Sequence, residues 1–162
     1  MKLLENYSAN LRARIDRPIA FPSFYPGLPE KYIVLCLSSG MQGKNYPFWD
    51  VVLQFLAPEL EKRGYNIVQI GGKDDPLPEN VKVMDSRGKT DVRQLYYIVQ
   101  DASLSLSVDT FLVHVASFYD IPLVSLYGLT SSDTSGPEFG TPSKQILLEP
   151  DREKFPLTYN PQ

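Results

Sequence analysis

A chain of 162 residues with a formal charge of −3 and an isoelectric point near 5.2 is sized for one domain with a core of its own. With no run of five Lys or Arg, it lacks the basic surface that holds nucleic acid or an anionic membrane. A lone cysteine, Cys36, excludes an internal disulfide and any cysteine-based zinc site, no apolar stretch nears the roughly 20 residues of a membrane span, and nothing near Met1 has the layout of a secretory leader. The expected setting is therefore soluble, reducing and cytoplasmic.

In chain order, residues 1–16 suit a short helix. The segment "RPIAFPSFYPGLPEK" then sets four prolines where no helix can propagate, so residues 1–30 read as an amino-terminal helix plus a proline-rich arm or linker. Residues 31–162 read as one folded domain. It opens with "YIVLCLS" (32–38), a short apolar run with β-branched members, followed by the glycine-bearing loop "SGMQGKN"; this is a buried strand ending in a loop, with Cys36 as an apolar filler.

Residues 47–63 change to helical period. Trp49, Val52, Leu53, Leu56 and Leu60 share one stripe, Pro47 suits the first turn and Gly64 the stop, while Pro58 is expected to bend the helix or end it early. Next come the strand "YNIVQI" (65–70), the loop "GGKDDPLPEN", the strand "VKVMDS" (81–86) and a helix from Asp91, with Thr90 as its expected N-cap. "SLSLSV" (103–108), a short helix at 110–119, "PLVSLYG" (122–128), a polar loop and "KQILLE" (144–149) complete the chain.

Strand and helix alternating with short links predict an α/β fold: a single three-layer, Rossmann-like, doubly wound parallel sheet in the order 3-2-1-4-5-6. In that order the first and fourth strands are neighbours and the chain leaves them in opposite directions. A crevice opens at their carboxyl ends, where open α/β sheets take ligands. The loop at 39–46 and the turn at 109–114 both face it.

Three residue types in "SVDTFLVHVAS" (107–117) fit that place: Asp109, Thr110 and the only histidine, His114. The first N–H groups of a helix lack internal partners and sit at the positive end of its dipole, so phosphate is a natural guest, and Thr110 adds a hydroxyl. Leu112, Val115, Ala116 and Tyr119 form the packed stripe, and His114 points roughly 140° away from its middle. A partly exposed histidine, with Asp109 merely capping the helix, is the competing reading. Lys44 follows Gly40 and Gly43, where flexible backbone and a long cation can approach a phosphate; a solvated loop lysine is the alternative. Neither the P-loop pattern nor the GxGxxG dinucleotide fingerprint is present. Asp74 and Asp75 stand where an acid often accepts hydrogen bonds from a ribose, and solvated turn carboxylates are an equal reading.

These segments resemble the heptosyltransferase-type glycosyltransferases, family 9 with the GT-B architecture. "SVDTFLVHVASFYDIPLVSLYGLTSSD" is similar to their Asp-Ser/Thr-Gly-x-x-His-x-Ala turn and the Pro-led strand ending in Tyr/Phe-Gly-x-Thr. "GKNYPFWDVV" is similar to their Lys-x-Trp-Pro segment, and "SRGKTDVRQLYYIVQDA" to their Gly-Lys-Thr plus helix. The three fall in the family's order across residues 32–135, within the carboxyl-terminal half, the domain that holds the sugar nucleotide. The resemblance implies a donor site in which Lys44, Asp109, Thr110, Phe111 and His114, with Gly40 and Gly43, surround the diphosphate and its sugar, and Asp75, or Asp74, lies near the ribose. No cofactor and no metal are implied, and no catalytic residue is assigned.

Two departures stand out. Phe111 occupies the family's glycine position, which hinders backbone approach to a phosphate or accommodates a different donor, and Tyr46 replaces a tryptophan. The family's amino-terminal domain, which carries the acceptor site and the catalytic carboxylate, has no counterpart in this chain, nor do the helices that follow "ILLEP". The expected function is binding of a nucleotide-diphosphate sugar such as an ADP-heptose-like donor for glycosyl transfer, with a partner chain or self-association supplying the acceptor side. The alternative is a non-catalytic binding or structural module derived from such an enzyme.

Overall fold

The computed structural model describes residues 3–11 and 19–156. Within them a helix, α1 (Leu3–Leu11), precedes six strands: β1 (Tyr32–Cys36), β2 (Asn66–Gln69), β3 (Met84–Asp85), β4 (Ser105–Val108), β5 (Leu123–Leu126) and β6 (Gln145–Leu148). The remaining helices are α2 (Trp49–Lys62), α3 (Val92–Gln100), α4 (Phe111–Phe118) and the short α5 (Ser132–Ser135). The end of the helix expected over 1–16 and the start of the proline-rich arm fall on residues 12–18, outside the described residues.

All strand pairs are parallel and the order is β3-β2-β1-β4-β5-β6, the doubly wound order read from the alternation. Parallel sheets are buried on both faces, which is why β1 and β4 are buried throughout. On one face Val34, Cys36, Val68 and Ile70 meet Ile98 and Val99 of α3 and Leu112, Val113, Val115 and Ala116 of α4. On the other, Ile33, Leu35, Ile67, Leu106 and Val108 meet Trp49, Leu53 and Leu60 of α2.

The elements depart from the sequence reading at three points. Pro58 lies inside α2 without ending it: Leu53 and Leu60, one on either side of the proline, both press on the sheet, so packing carries the helix across the missing hydrogen bond. Asp91, not Thr90, caps α3; its carboxylate accepts from Gln94 N at 2.8 Å and the Gln94 side chain accepts from Asp91 N at 3.1 Å, a reciprocal capping box. The strand expected over 81–86 shrinks to the two residues of β3, because Val81 and Val83 leave the ladder and pack as side chains against the α2 core.

The proline-rich arm is tied to α3. Ser23 N donates to Arg93 O at 3.1 Å, Arg93 Nε to Phe21 O at 2.9 Å, and Phe24 meets Tyr97 edge to face at 5.4 Å.

Candidate functional site

The site begins where β1 and β4 lie side by side, with Cys36 in register with Ser107. After β1 the chain makes a single 3-10 turn over Gln42–Lys44, closed by Lys44 N to Met41 O and Asn45 N to Gln42 O, both 3.0 Å. Asn45 Oδ1 accepts from Ser39 N at 2.7 Å and folds the loop back on its strand. Trp49 Nε1 donates to Leu37 O at 2.9 Å, so the start of α2 is pinned to the end of β1. This loop delivers Lys44 over the crevice.

Asp109 comes from the carboxyl end of β4 and is 3% exposed. Lys44 Nζ lies 2.7 Å from its Oδ2, and the same oxygen accepts from the Thr130 hydroxyl and, at 3.3 Å, from the Ser135 hydroxyl. A buried carboxylate is costly unless charge and hydrogen bonds compensate it; here one cation and two hydroxyls do so. Asp109 does not cap α4. That task falls to Thr110, whose hydroxyl accepts from Leu112 N at 3.3 Å, so the competing reading of Asp109 as a helix cap gives way to an ion pair across the crevice.

Among the other expected site residues, Phe111 and His114 both face outward on α4, and Phe111 is 40% exposed. Gly43 backs onto the loop after β5, since a Cβ there would lie 3.0 Å from Leu129 Cδ2. The space around Gly40 is open. Asp75 sits apart at the end of β2, its carboxylate accepting from Gly72 N at 2.8 Å, and Gly71 beneath it has φ +143, a backbone open to glycine alone. Asp74 is exposed. Cys36 is buried, and burial, opposed by a hydrogen bond with the Thr110 side chain, pushes its thiol up to about 11, so no thiolate is available at neutral pH.

Sequence reasoning missed the far wall. Thr130 and Ser135 reach Asp109 from the loop after β5, and that loop is gripped by Arg152. Its guanidinium donates to Gly128 O at 2.8 Å, to Thr130 O at 2.7 Å and to Glu149 Oε2 at 2.9 Å. Glu149 in turn accepts from Ser132 N and Ser132 Oγ, both at 2.6 Å, and from Ser131 Oγ at 3.2 Å. Burial pushes the Glu149 carboxyl up, but hydrogen bonds from Ser132 and Arg152 outweigh it and hold the group below its ordinary value. The one available signal was Thr130 within "YGLTSSD"; nothing local marks Arg152. Tyr127, 1% exposed beside this wall, has its phenol raised by burial first and the Asp109 charge second. Among the described residues no group of three or more His, Cys, Asp and Glu gathers in metal-ligand geometry, and no helix is long and apolar enough to cross a membrane.

The fold and crevice place the chain among the doubly wound α/β domains, which take ligands at a topological switch point. More specifically, it belongs to glycosyltransferase family 9, the heptosyltransferase family, whose model matches residues 6–156. No curated protein matches. Solved structures similar to it include a family 9 glycosyltransferase from Veillonella parvula (24% identity, 76% of this chain and 37% of that one, TM-score 0.62). An ADP-heptose lipopolysaccharide heptosyltransferase II from E. coli matches at 21% identity over 89% of this chain and 42% of that one, with a TM-score of 0.59. The E. coli heptosyltransferase WaaC, solved with ADP, matches at 19% over 79% and 40%, with a TM-score of 0.58. The chain thus spans about two fifths of the length of these structures.

Proposed function

We propose that the chain binds a nucleotide-diphosphate sugar of the ADP-heptose kind at the β1/β4 crevice and serves as the donor half of a glycosyltransferase. The observation that carries this reading is the Lys44–Asp109 pair at 2.7 Å beside the amino end of α4: a cation and the positive end of a helix dipole converge where the leaving diphosphate gains charge. Phe111, His114, Gly40 and Gly43 rim the same two loops, and Asp75 lies toward the ribose side. In this reading Lys44 exchanges part of its contact with Asp109 for a phosphate oxygen, and Asp109, still held by Thr130 and Ser135, keeps the ammonium in place. The base for the attacking hydroxyl, and the acceptor site, come from a partner chain or a second copy in the same soluble, cytoplasmic compartment. Residues 31–162 form the donor unit and residues 1–30 its leading arm.

Calorimetric titration with ADP, GDP, UDP and their sugar conjugates tests it. Saturable binding of a diphosphate nucleotide, with no comparable binding of the nucleoside alone, is expected; absence of binding to every one overturns it. A second reading, a binding module that performs no transfer, is favoured by Phe111 at the family's glycine position. It predicts nucleotide binding without transfer after the acceptor half is supplied.

A further inference from the structure

The proline-rich arm and the end of α3 form a cavity of about 390 Å³, a volume in the range of small-molecule sites. Tyr32, the first residue of β1, stands in its wall. The β1/β4 crevice lies past the other end of that strand, so the cavity opens at the amino end of the sheet, roughly 16 Å away.

Its walls are aromatic and held in place. Phe24, Tyr25, Tyr32 and Tyr97 all line it. The Tyr32 hydroxyl donates to Ile98 O at 2.7 Å and the Tyr25 hydroxyl to Ser86 Oγ at 3.0 Å, so both phenols spend their donors on the protein. Phe24 meets Tyr97 with the rings at 72°, and Gln94 Nε2 donates to Phe24 O at 3.4 Å. What the cavity offers a guest is ring surface, and the face of an aromatic ring is electrostatically negative.

The charges at the cavity have the same sign. Glu30 and Asp101 stand exposed at its rim, and no Lys or Arg lines it. Among the described residues neither carboxylate has a salt-bridge partner. Asp101 is also the C-cap of α3, whose last turn holds no basic residue, so the negative end of the helix dipole adds to the carboxylate. The field reaches the wall: burial first and the Asp101 charge second raise the Tyr32 phenol.

We propose that this cavity binds a small organic cation, an ammonium group carrying apolar carbons. Rings and carboxylates here attract one kind of guest. An anion is repelled by both, and a neutral apolar molecule leaves the carboxylates unanswered. A metal ion finds no set of three or more His, Cys, Asp and Glu among the described residues. An alkylated ammonium satisfies both features, because its carbons and charge lie against the ring faces while the rim carboxylates balance it. The site makes no use of the nucleotide crevice and stands or fails without it.

Choline and its neutral isostere 3,3-dimethylbutan-1-ol are the probes, titrated into the whole chain at constant ionic strength while backbone amide shifts are followed. Choline is expected to shift the amides of residues 24–32 and 97–101 saturably, with a Kd on the order of 1 mM for a half-open site. The isostere is expected to bind at least about tenfold more weakly. Asp101→Asn changes an exposed cap to a residue that still suits a helix end, and is expected to weaken choline several-fold; adding Glu30→Gln removes the saturable shifts. Tyr97→Leu loses binding while Tyr97→Phe keeps it, since the ring and not its hydroxyl faces the guest. No saturable shift at the cavity overturns the proposal, whether the cavity rejects choline or already holds a cationic side chain of this protein. So does equal binding of the isostere, the mark of a merely apolar hollow, or choline shifts scattered over surface carboxylates and unchanged in the variants.

Discussion

Lys44 and Asp109 meet at 2.7 Å although they belong to loops on different strands, and the lysine keeps 19% of its side chain open to solvent while the aspartate keeps 4%. The pair is thus asymmetric: the carboxylate is fixed from behind and the ammonium is the part that can turn to a guest. Lys44→Ala is expected to weaken nucleoside-diphosphate binding about tenfold, roughly 1.4 kcal/mol, while nucleoside binding stays unchanged. Calorimetry at two salt concentrations checks it, and the difference narrows as salt rises. Equal losses for both ligands place Lys44 outside the phosphate site.

The same substitution leaves Asp109 buried without its cation, at a cost of about 3 kcal/mol. Lys44→Ala combined with Asp109→Ala is therefore expected to be more stable than the sum of the single variants allows, with a coupling of about 1–3 kcal/mol. Chemical denaturation of the four proteins gives this number; additivity within error refutes the pairing.

His114 is exposed on the first turns of α4, and if the proposed diphosphate binds beside it, binding is expected to depend on pH. A diphosphate beside an imidazole favours the charged form, so ADP affinity is expected to fall as pH rises from about 6 to 8. His114→Gln keeps a donor and cannot titrate, so its profile is flat. Identical profiles for the two proteins remove His114 from the site.

Arg152 is the tie between the β5 loop and the strand end at Glu149. Arg152→Ala is expected to speed hydrogen exchange at the Ser132 amide, which Glu149 accepts at 2.6 Å, and to cost about 1–3 kcal/mol of stability. Arg152→Lys does not restore protection, because an ammonium cannot serve three acceptors in one plane. Unchanged exchange at Ser132 in either variant contradicts the tie.

The acid limb of stability has a local source. Arg87 hydrogen-bonds Asp85 and holds its carboxyl at about 2, against the opposing effect of burial. A depressed folded-state value stabilises above the unfolded value, near 4, and that stabilisation is lost as pH falls from about 4 to 2. Asp85→Asn is expected to flatten denaturation midpoints over that window and to leave them parallel to wild type above pH 5. A wild-type slope retained in the variant assigns the acid limb to other carboxylates.

The sheet order was legible because β-branched runs and helical stripes alternate in a way that few topologies accommodate, and the crevice followed from the order alone. The half of the site on β1 and β4 was legible for the same reason: Lys44, Asp109 and Thr110 sit at strand ends that the topology makes neighbours. The other half was not. Thr130, Ser135, Glu149 and Arg152 converge through backbone carbonyls and loop amides, contacts that depend on the path of an irregular loop and leave no periodic trace. Pro58 taught a related lesson, since its local preference lost to Leu53 and Leu60 on the sheet.

The adjacency of β1 and β4 also sets a timetable for the growing chain. Cys36 and Ser107 share a register, yet about 70 residues are made between them, which at about 5–20 residues per second leaves one long edge of β1 unmatched for several seconds of synthesis. That edge is flanked by Leu35 and Val34, fully buried once folded. Unpaired apolar edges of this kind template association with other chains. A nascent chain that ends between α3 and β4 therefore still carries the open β4-facing edge of β1, and that edge closes only when β4 arrives.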